Sequence, residues 1–276
     1  MKRQFRQVDV FTTTPYRGNP LAVVLGADGL TTEEMSRFAN WTNLSETTFL
    51  LEPDDEYADY QVRIFTPTRE LPFAGHPTLG SAHAWLQSGG EPRNAGTVIQ
   101  QCGAGLITVR QDDSGLSFAA PPLLRYGPVD EPTAARVADI LRISRADVVD
   151  LHWADNGPGW IAVLLTSAAA VLALRPGPTD LDIGVAGPHP PGGPADFEVR
   201  AFVPKNGMTD EDPVTGSLNA SLAQWLLESG RASAPYVARQ GTALGRAGRV
   251  RVSRDADEVV WVGGDVVTCV SGRVEL

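Results

Sequence analysis

The sequence predicts a mixed αβ protein built from two copies of one module, and three observations carry that reading. Two helical segments are almost free of charge, most other segments alternate like β-strands, and one residue pattern recurs at a spacing of about 137 residues. The first copy reads Arg-x-Phe-x-Pro at 63–67, His-Pro-x-x-Gly-Ser at 76–81, then Trp85-Leu86 and Ser88-Gly89. The second reads Arg-x-Phe-x-Pro at 200–204, Asp-Pro-x-x-Gly-Ser at 212–217, then Trp225-Leu226 and Ser229-Gly230, with a helix about one turn longer. Solenoid repeats have periods of about 20–50 residues. A spacing this long therefore implies a duplicated domain rather than an array.

The elements follow in order. The chain opens as a hairpin: QVDVF alternates, TTTPYRGNP carries turn chemistry and LAVVL returns as an apolar strand. TTEEMSRFANWTN (31–43) reads as a helix, with Thr31 and Glu34 spaced as a capping box and Met35, Phe38, Ala39 and Thr42 on one face. SETTFLLEP then turns β-branched, which places Glu46 where a helix ends and a strand begins, and YQVRIFTP (60–67) is a further strand. Pro77 suits the first turn of a helix, and TLGSAHAWL behind it has no charged face, the mark of a helix buried all round. TVIQQC, GLITVRQ and GLSFAAPP are strands.

APPLLRYGPVDEP (120–132) reads as a linker into the second half. There EPTAARVADILRIS is an amphipathic helix, GWIAVLLT a buried strand and FEVRAFVP a strand. The Pro- and Gly-rich stretch 175–197 reads as an exposed loop, with His189 a solvated loop residue. DPVTGSLNASLAQWLLESG is the second uncharged helix, expected from 213 to 228, and the remainder is strands and turns.

Composition restricts function. The 276 residues carry a net charge of −10, which disfavours nucleic acid and anionic membranes as partners. WIAVLL is too short to cross a bilayer. The basic N-terminus runs straight into strand alternation and so does not read as a signal peptide, and only Cys102 and Cys269 are present; a cytoplasmic protein is expected. The four histidines form no HExxH or CxxC-type cluster, and His76 and His83 lie two helical turns apart, so a metal site is not expected. A metal hydrolase using those two histidines would need further acids. The only lysines are Lys2 and Lys205, leaving Lys205 as the sole plausible pyridoxal-phosphate anchor, and there is no phosphate loop or nucleophile elbow. The pattern points to chemistry run on side chains alone, without cofactor or metal.

Duplication gives that chemistry a place. Two related modules would bring their matching helix N-termini to one cleft, each offering free N–H groups and a positive dipole end to a carboxylate. His76 and Asp212 occupy matching positions in the repeat, an arrangement suited to proton transfer at carbon. The competing reading makes Asp212 an N-cap and His76 a hydrogen-bonded structural residue.

VDVFTTTPYRGNPLAVVL, NLSETTFL, RIFTPTRELPFAGHPTLGSAHAW, DPVTGSLNASLAQWL and RQGTALGRAGRV together resemble the PhzF family of phenazine-biosynthesis isomerases, over residues 8 to about 250. The resemblance implies an α+β fold of two pseudo-symmetric domains, each a curved, mostly antiparallel, barrel-like sheet around a central helix, like diaminopimelate epimerase. It suggests domains at 1–119 and 128–269, with 270–276 available to return to the first. In that family the glutamate of the Asn-x-Ser-Glu-Thr motif moves the proton; here it is Glu46, and the role calls for a pKa raised by burial or by a carboxylate such as Asp212. The resemblance carries His76 and Asp212 over as assisting groups, and Gly75, Thr215, Gly216, Ser217 and Asn19 as substrate-binding positions. It implies a cofactor-independent isomerase or epimerase acting on a small carboxylate, and commonly a homodimer. A non-catalytic small-acid binder or regulatory protein on the same fold, and an amino-acid epimerase or racemase, are the alternatives.

Racemases of this fold oppose two cysteines at the helix mouths, where this chain has His76 and Asp212. Cys102, in QCGAGLITVR, is followed by a strand that lacks the helix dipole needed to activate a thiol, so both cysteines read as structural. GRAGRVRV has alanine where the family often has proline, which leaves that local turn open.

Overall fold

In the computed structural model, which describes residues 1–205 and 207–276, the N-terminal alternation forms an antiparallel pair, β1 (Lys2–Val10) and β2 (Asn19–Leu25). Helix α1 (Thr32–Thr42) starts at the expected capping box: Thr31 Oγ1 accepts from the Glu34 N–H at 3.2 Å, and Glu34 Oε2 accepts from the Thr31 N–H at 2.8 Å. Its Met35 and Ala39 bury against Val24, Phe49 and Phe65. The crossover through α1 lays β3 (Glu46–Leu51) parallel to β2. Next come β4 (Tyr60–Phe65), antiparallel to β3, and a two-residue β5 (Glu70–Leu71) beside it. Helix α2 (Gly75–Gln87) then crosses over to β6 (Thr97–Cys102), parallel to β4, and β7 (Gly105–Asp112) and β8 (Gly115–Ala119) follow antiparallel.

The uncharged α2 packs against strands on several sides, β1, β2, β3, β6, β7 and β8 among them, so this mostly antiparallel sheet wraps it. Gly80 permits the closest approach, since a Cβ there would lie 2.5 Å from Leu21 Cδ2.

The second unit begins with β9 (Arg125–Pro128) and α3 (Glu131–Leu141), N-capped by Asp130. There follow β10 (Val148–Asp155), β11 (Ile161–Leu165), α4 (Ala168–Ala173), β12 (Ile183–Pro188), β13 (Phe197–Lys205) and β14 (Met208–Asp212). Helix α5 (Gly216–Glu228), β15 (Tyr236–Gln240) and β16 (Gly248–Arg254) follow, and β17 (Val260–Gly264) spans the boundary at Val262. The last strand, β18 (Val266–Glu275), pairs with β1 along its length. The two compact units are thus Met1–Ala119 with Gly263–Leu276, and Ala120–Val262.

Pairing follows the same order in both units. β1–β2 is antiparallel, β2–β3 parallel, β3–β4 antiparallel, β4–β6 parallel and β6–β7 antiparallel. β10–β11, β11–β12, β12–β13, β13–β15 and β15–β16 repeat that series. The parallel pairings are bridged by α1 and α2 in one unit, and by α4 and α5 in the other.

Several expectations are corrected. The linker at 120–132 contains β9, hydrogen-bonded to β10 as an edge strand, where its Pro and Gly are tolerated. The supposed loop at 175–197 contains β12, buried from Ile183 to Gly187, because its glycines leave room for helices. A Cβ on Gly184 would meet Leu218 Cδ1 at 2.0 Å, and one on Gly187 the Ser167 carbonyl oxygen at 2.5 Å. His189 is not solvated: its side chain is 10% exposed and its Nε2 lies 3.0 Å from Glu198 Oε2. The C-terminal residues Gly263–Leu276 cluster with the first unit.

The helix register also differs. α2 and α5 are each 13 residues, starting at Gly75 and Gly216 rather than 77 and 213. The extra residues of the second copy precede its helix, where β14 has five residues against two in β5.

Candidate active site

Parallel pairing brings the starts of β2 and β3 to one end of their sheet, with Asn19 the first residue of β2 and Glu46 the first of β3. The N-terminus of α2 reaches the same place. Gly75 is its first residue, His76 its second, and both are buried. His76 Nε2 lies 3.2 Å from Glu46 Oε2, and Asn19 Nδ2 lies 3.4 Å from His76 Nδ1. An amide N–H can only donate, so Nδ1 accepts and the neutral ring carries its hydrogen on Nε2, facing Glu46. The Nε2–Oε2 approach is close, yet falls outside hydrogen-bond geometry.

Burial lowers the His76 pKa from 6.5 to about 3. The ring is neutral at ordinary pH, and its contact with Glu46 is between a carboxyl group and an uncharged imidazole rather than an ion pair. Glu46 keeps a 16% exposed side chain, so it borders solvent while His76 does not.

The remaining candidates gather in the second unit. Asp212 ends β14, and Thr215 is the N-cap of α5. The Thr215 hydroxyl donates to Asp212 Oδ2 at 2.5 Å instead of accepting from the helix, so the N-cap side chain makes no capping hydrogen bond of its own. Gly216 and Ser217 are the first two helical residues. Asp212 and His76 are therefore not matching positions: helix against helix, Ser217 corresponds to His76, both being second residues, while Asp212 lies on a strand end. The Pro-x-x-Gly-Ser match is out of register with the helices, since it falls inside α2 but straddles the start of α5.

Sequence reading passed over Gln240, on β15. Its Oε1 accepts from the Thr215 N–H (3.0 Å) and from Asn219 Nδ2 (2.8 Å), while its Nε2 donates to Thr215 Oγ1 (2.9 Å) and the Asp212 carbonyl (3.1 Å). Gln100 on β6 does a similar job in the first unit, donating to Thr78 Oγ1 at 3.0 Å and accepting from the Tyr60 hydroxyl at 3.0 Å. Both glutamines are fully buried. A glutamine inside a strand of otherwise buried alternation was the available signal.

His83 meets Thr268 Oγ1 at 3.1 Å, well along α2 from His76, and its pKa is lowered to about 4, chiefly by burial. Cys102 and Cys269 are free thiols, both held above their ordinary pKa mainly by burial. Lys205 is exposed and paired with Asp210. Among the described residues, no group of three or more His, Cys, Asp or Glu is arranged to hold a metal ion, and no helix is long and apolar enough to cross a membrane.

The family described as phenazine biosynthesis-like protein, PhzC-PhzF, matches residues 8–272 of the chain. Antisense-enhancing sequence 1 of Schizosaccharomyces pombe is 37% identical over 295 residues, covering 99% of this chain and 98% of its own. The trans-2,3-dihydro-3-hydroxyanthranilate isomerase of Pseudomonas aeruginosa is 32% identical over 290 residues, covering 98% of each chain. Among solved structures, a PhzF-family protein from Enterococcus faecalis has the same fold, with a TM-score of 0.81 at 24% identity over the full length of both chains.

Proposed function

The chain belongs to the PhzC-PhzF family, which includes isomerases, and from that premise we propose a cofactor-independent isomerase that moves a proton between carbons of a small carboxylate. Glu46 is the acid and base: it takes a proton from carbon, alpha to or conjugated with an acid or imine group, and returns it at another carbon. The observation that carries this reading is the Asn19–His76–Glu46 line, a buried neutral imidazole with one fixed tautomer beside a carboxylate that borders solvent. His76 is suited to orienting Glu46 and donating to charge that develops on the substrate, but not to acting as a strong acid. Asp212, Thr215, Gly216 and Ser217 hold the substrate: the N-terminus of α5 and the Ser217 hydroxyl suit a carboxylate.

The repeat favours one carboxylate base over two. At the start of β12, the counterpart of β3, the second unit carries Ile183 where the first carries Glu46. A two-thiol racemase has no support from Cys102, which ends β6 and leads into β7.

The test is a panel of small amino acids, hydroxy acids and hydroxyanthranilate rings incubated with the protein in deuterium oxide. At least one ligand should gain about one dalton per exchanged position while the protein is free of added metal or cofactor. Ligands that bind and stabilise the protein with no mass gain would replace the isomerase by a non-catalytic binder.

A further inference from the structure

Ser217 is held by a loop that sequence reading left unremarked, Asp155-Asn156-Gly157-Pro158-Gly159-Trp160, which joins β10 to β11. Asp155 Oδ1 accepts from the N–H groups of Gly157 and Gly159, both at 2.7 Å, and those glycines have φ of 141° and 97°, which other residues rarely adopt. The Ala154 N–H donates to the Trp160 carbonyl at 3.1 Å and closes the loop. From this base two side chains reach one residue of α5. Asn156 Nδ2 donates to the Ser217 carbonyl at 2.9 Å, and Trp160 Nε1 donates to Ser217 Oγ at 3.1 Å. Trp160 is 2% exposed, so its ring is fixed by packing.

An indole N–H is a donor only, so it occupies an acceptor lone pair of the hydroxyl and turns the Ser217 hydrogen away. Three serines in or at the end of helices, Ser88, Ser221 and Ser229, donate to the carbonyl four residues back, whereas Ser81 donates to Thr48 Oγ1. Ser217 has no helical carbonyl behind it, because the residue four back, Pro213, precedes the helix.

The first unit makes a comparable contact from a neighbouring, non-equivalent strand position. Asn19, the first residue of β2, donates a side-chain N–H toward His76, the second residue of α2. Trp160 immediately precedes β11, the counterpart of β2, and donates to Ser217, the second residue of α5.

We propose that Trp160 is a positioning residue that fixes the Ser217 hydroxyl as a hydrogen-bond donor to the substrate carboxylate, as Asn19 fixes the tautomer of His76. The proposal rests on the reading of Ser217 as a substrate-holding group.

The test measures binding of 3-hydroxyanthranilate by the wild type, Trp160→Phe, Ser217→Ala and the double variant. Trp160→Phe keeps an aromatic ring and removes the N–H. Each single variant should weaken binding by about tenfold, and the double variant should bind no more weakly than Ser217→Ala, since Trp160 acts through that hydroxyl. The Trp160 indole N–H resonance should shift in Ser217→Ala, a readout that packing alone would leave in place. Wild-type affinity in Trp160→Phe, losses that add in the double variant, or an unmoved indole resonance would each overturn the proposal while leaving the reading of Ser217 standing. If the wild type binds strongly but Ser217→Ala binds equally well, the reading of Ser217 itself fails, and the proposal with it. Failure of the wild type to bind this ring at all would count against both.

Discussion

His76 shows how burial decides a role that sequence leaves open. A histidine beside a carboxylate could be a charged partner, yet burial lowers this ring to about 3. Between that value and 6.5 the unfolded chain binds a proton that the native state refuses. The stability this group contributes is therefore whole above 6.5 and lost as pH falls toward 3. His83, lowered to about 4, adds the same sign. We expect the fall in Tm between pH 7 and pH 5 to be smaller in His76→Asn than in the wild type; equal falls would show that His76 is not buried neutral. Asn19→Leu should leave the buried ring without its Nδ1 partner, lowering turnover by about tenfold and stability by about 1–3 kcal/mol, as read by kcat and Tm. Residue types at this site were legible in the sequence, but their pairings were not: Asn19 and His76 are 57 positions apart, as are Trp160 and Ser217. Glu46 stood out only through family resemblance, because a carboxylate at a helix-to-strand junction is ordinarily a solvated one.

Elements with strong periodicity or recognisable caps were read well. Thr31 and Glu34 announce α1, and removing the cap in Thr31→Ala should cost about 1 kcal/mol, measured by denaturant midpoint. β12 was missed because glycine and proline signal loops, whereas here Gly184 and Gly187 are spaces that other elements fill. Gly187→Ala places a methyl group against the Ser167 carbonyl and should destabilise by about 1–3 kcal/mol; a neutral result would show that α4 does not sit tightly on β12. The phase error between α2 and α5 has a similar origin. A short motif match fixes identity but not register, and Thr215 caps α5 through backbone position without the side-chain bond that would have marked its start.

For the whole chain, the repeat explains the architecture, and its asymmetry singles out the carboxylate on which the proposed chemistry rests. Five successive pairings recur in the same order and direction, and two buried glutamines steady the starts of two central helices. The repeat itself was legible because Arg-x-Phe-x-Pro and the uncharged helices survive in both copies. The return of β18 to β1 was only half legible, since such a pairing joins opposite ends of the chain. Where the copies differ, at Glu46 against Ile183, the proposed reaction commits to one carboxylate. That commitment is tested most directly by solvent-deuterium incorporation into a turned-over carboxylate, compared between the wild type and Glu46→Gln. Glu46→Gln should bind the ligand and lose at least a thousandfold in exchange rate, as expected when a general acid–base is removed from a proton transfer at carbon. Equal incorporation by the two proteins would contradict the assignment of the proton carrier.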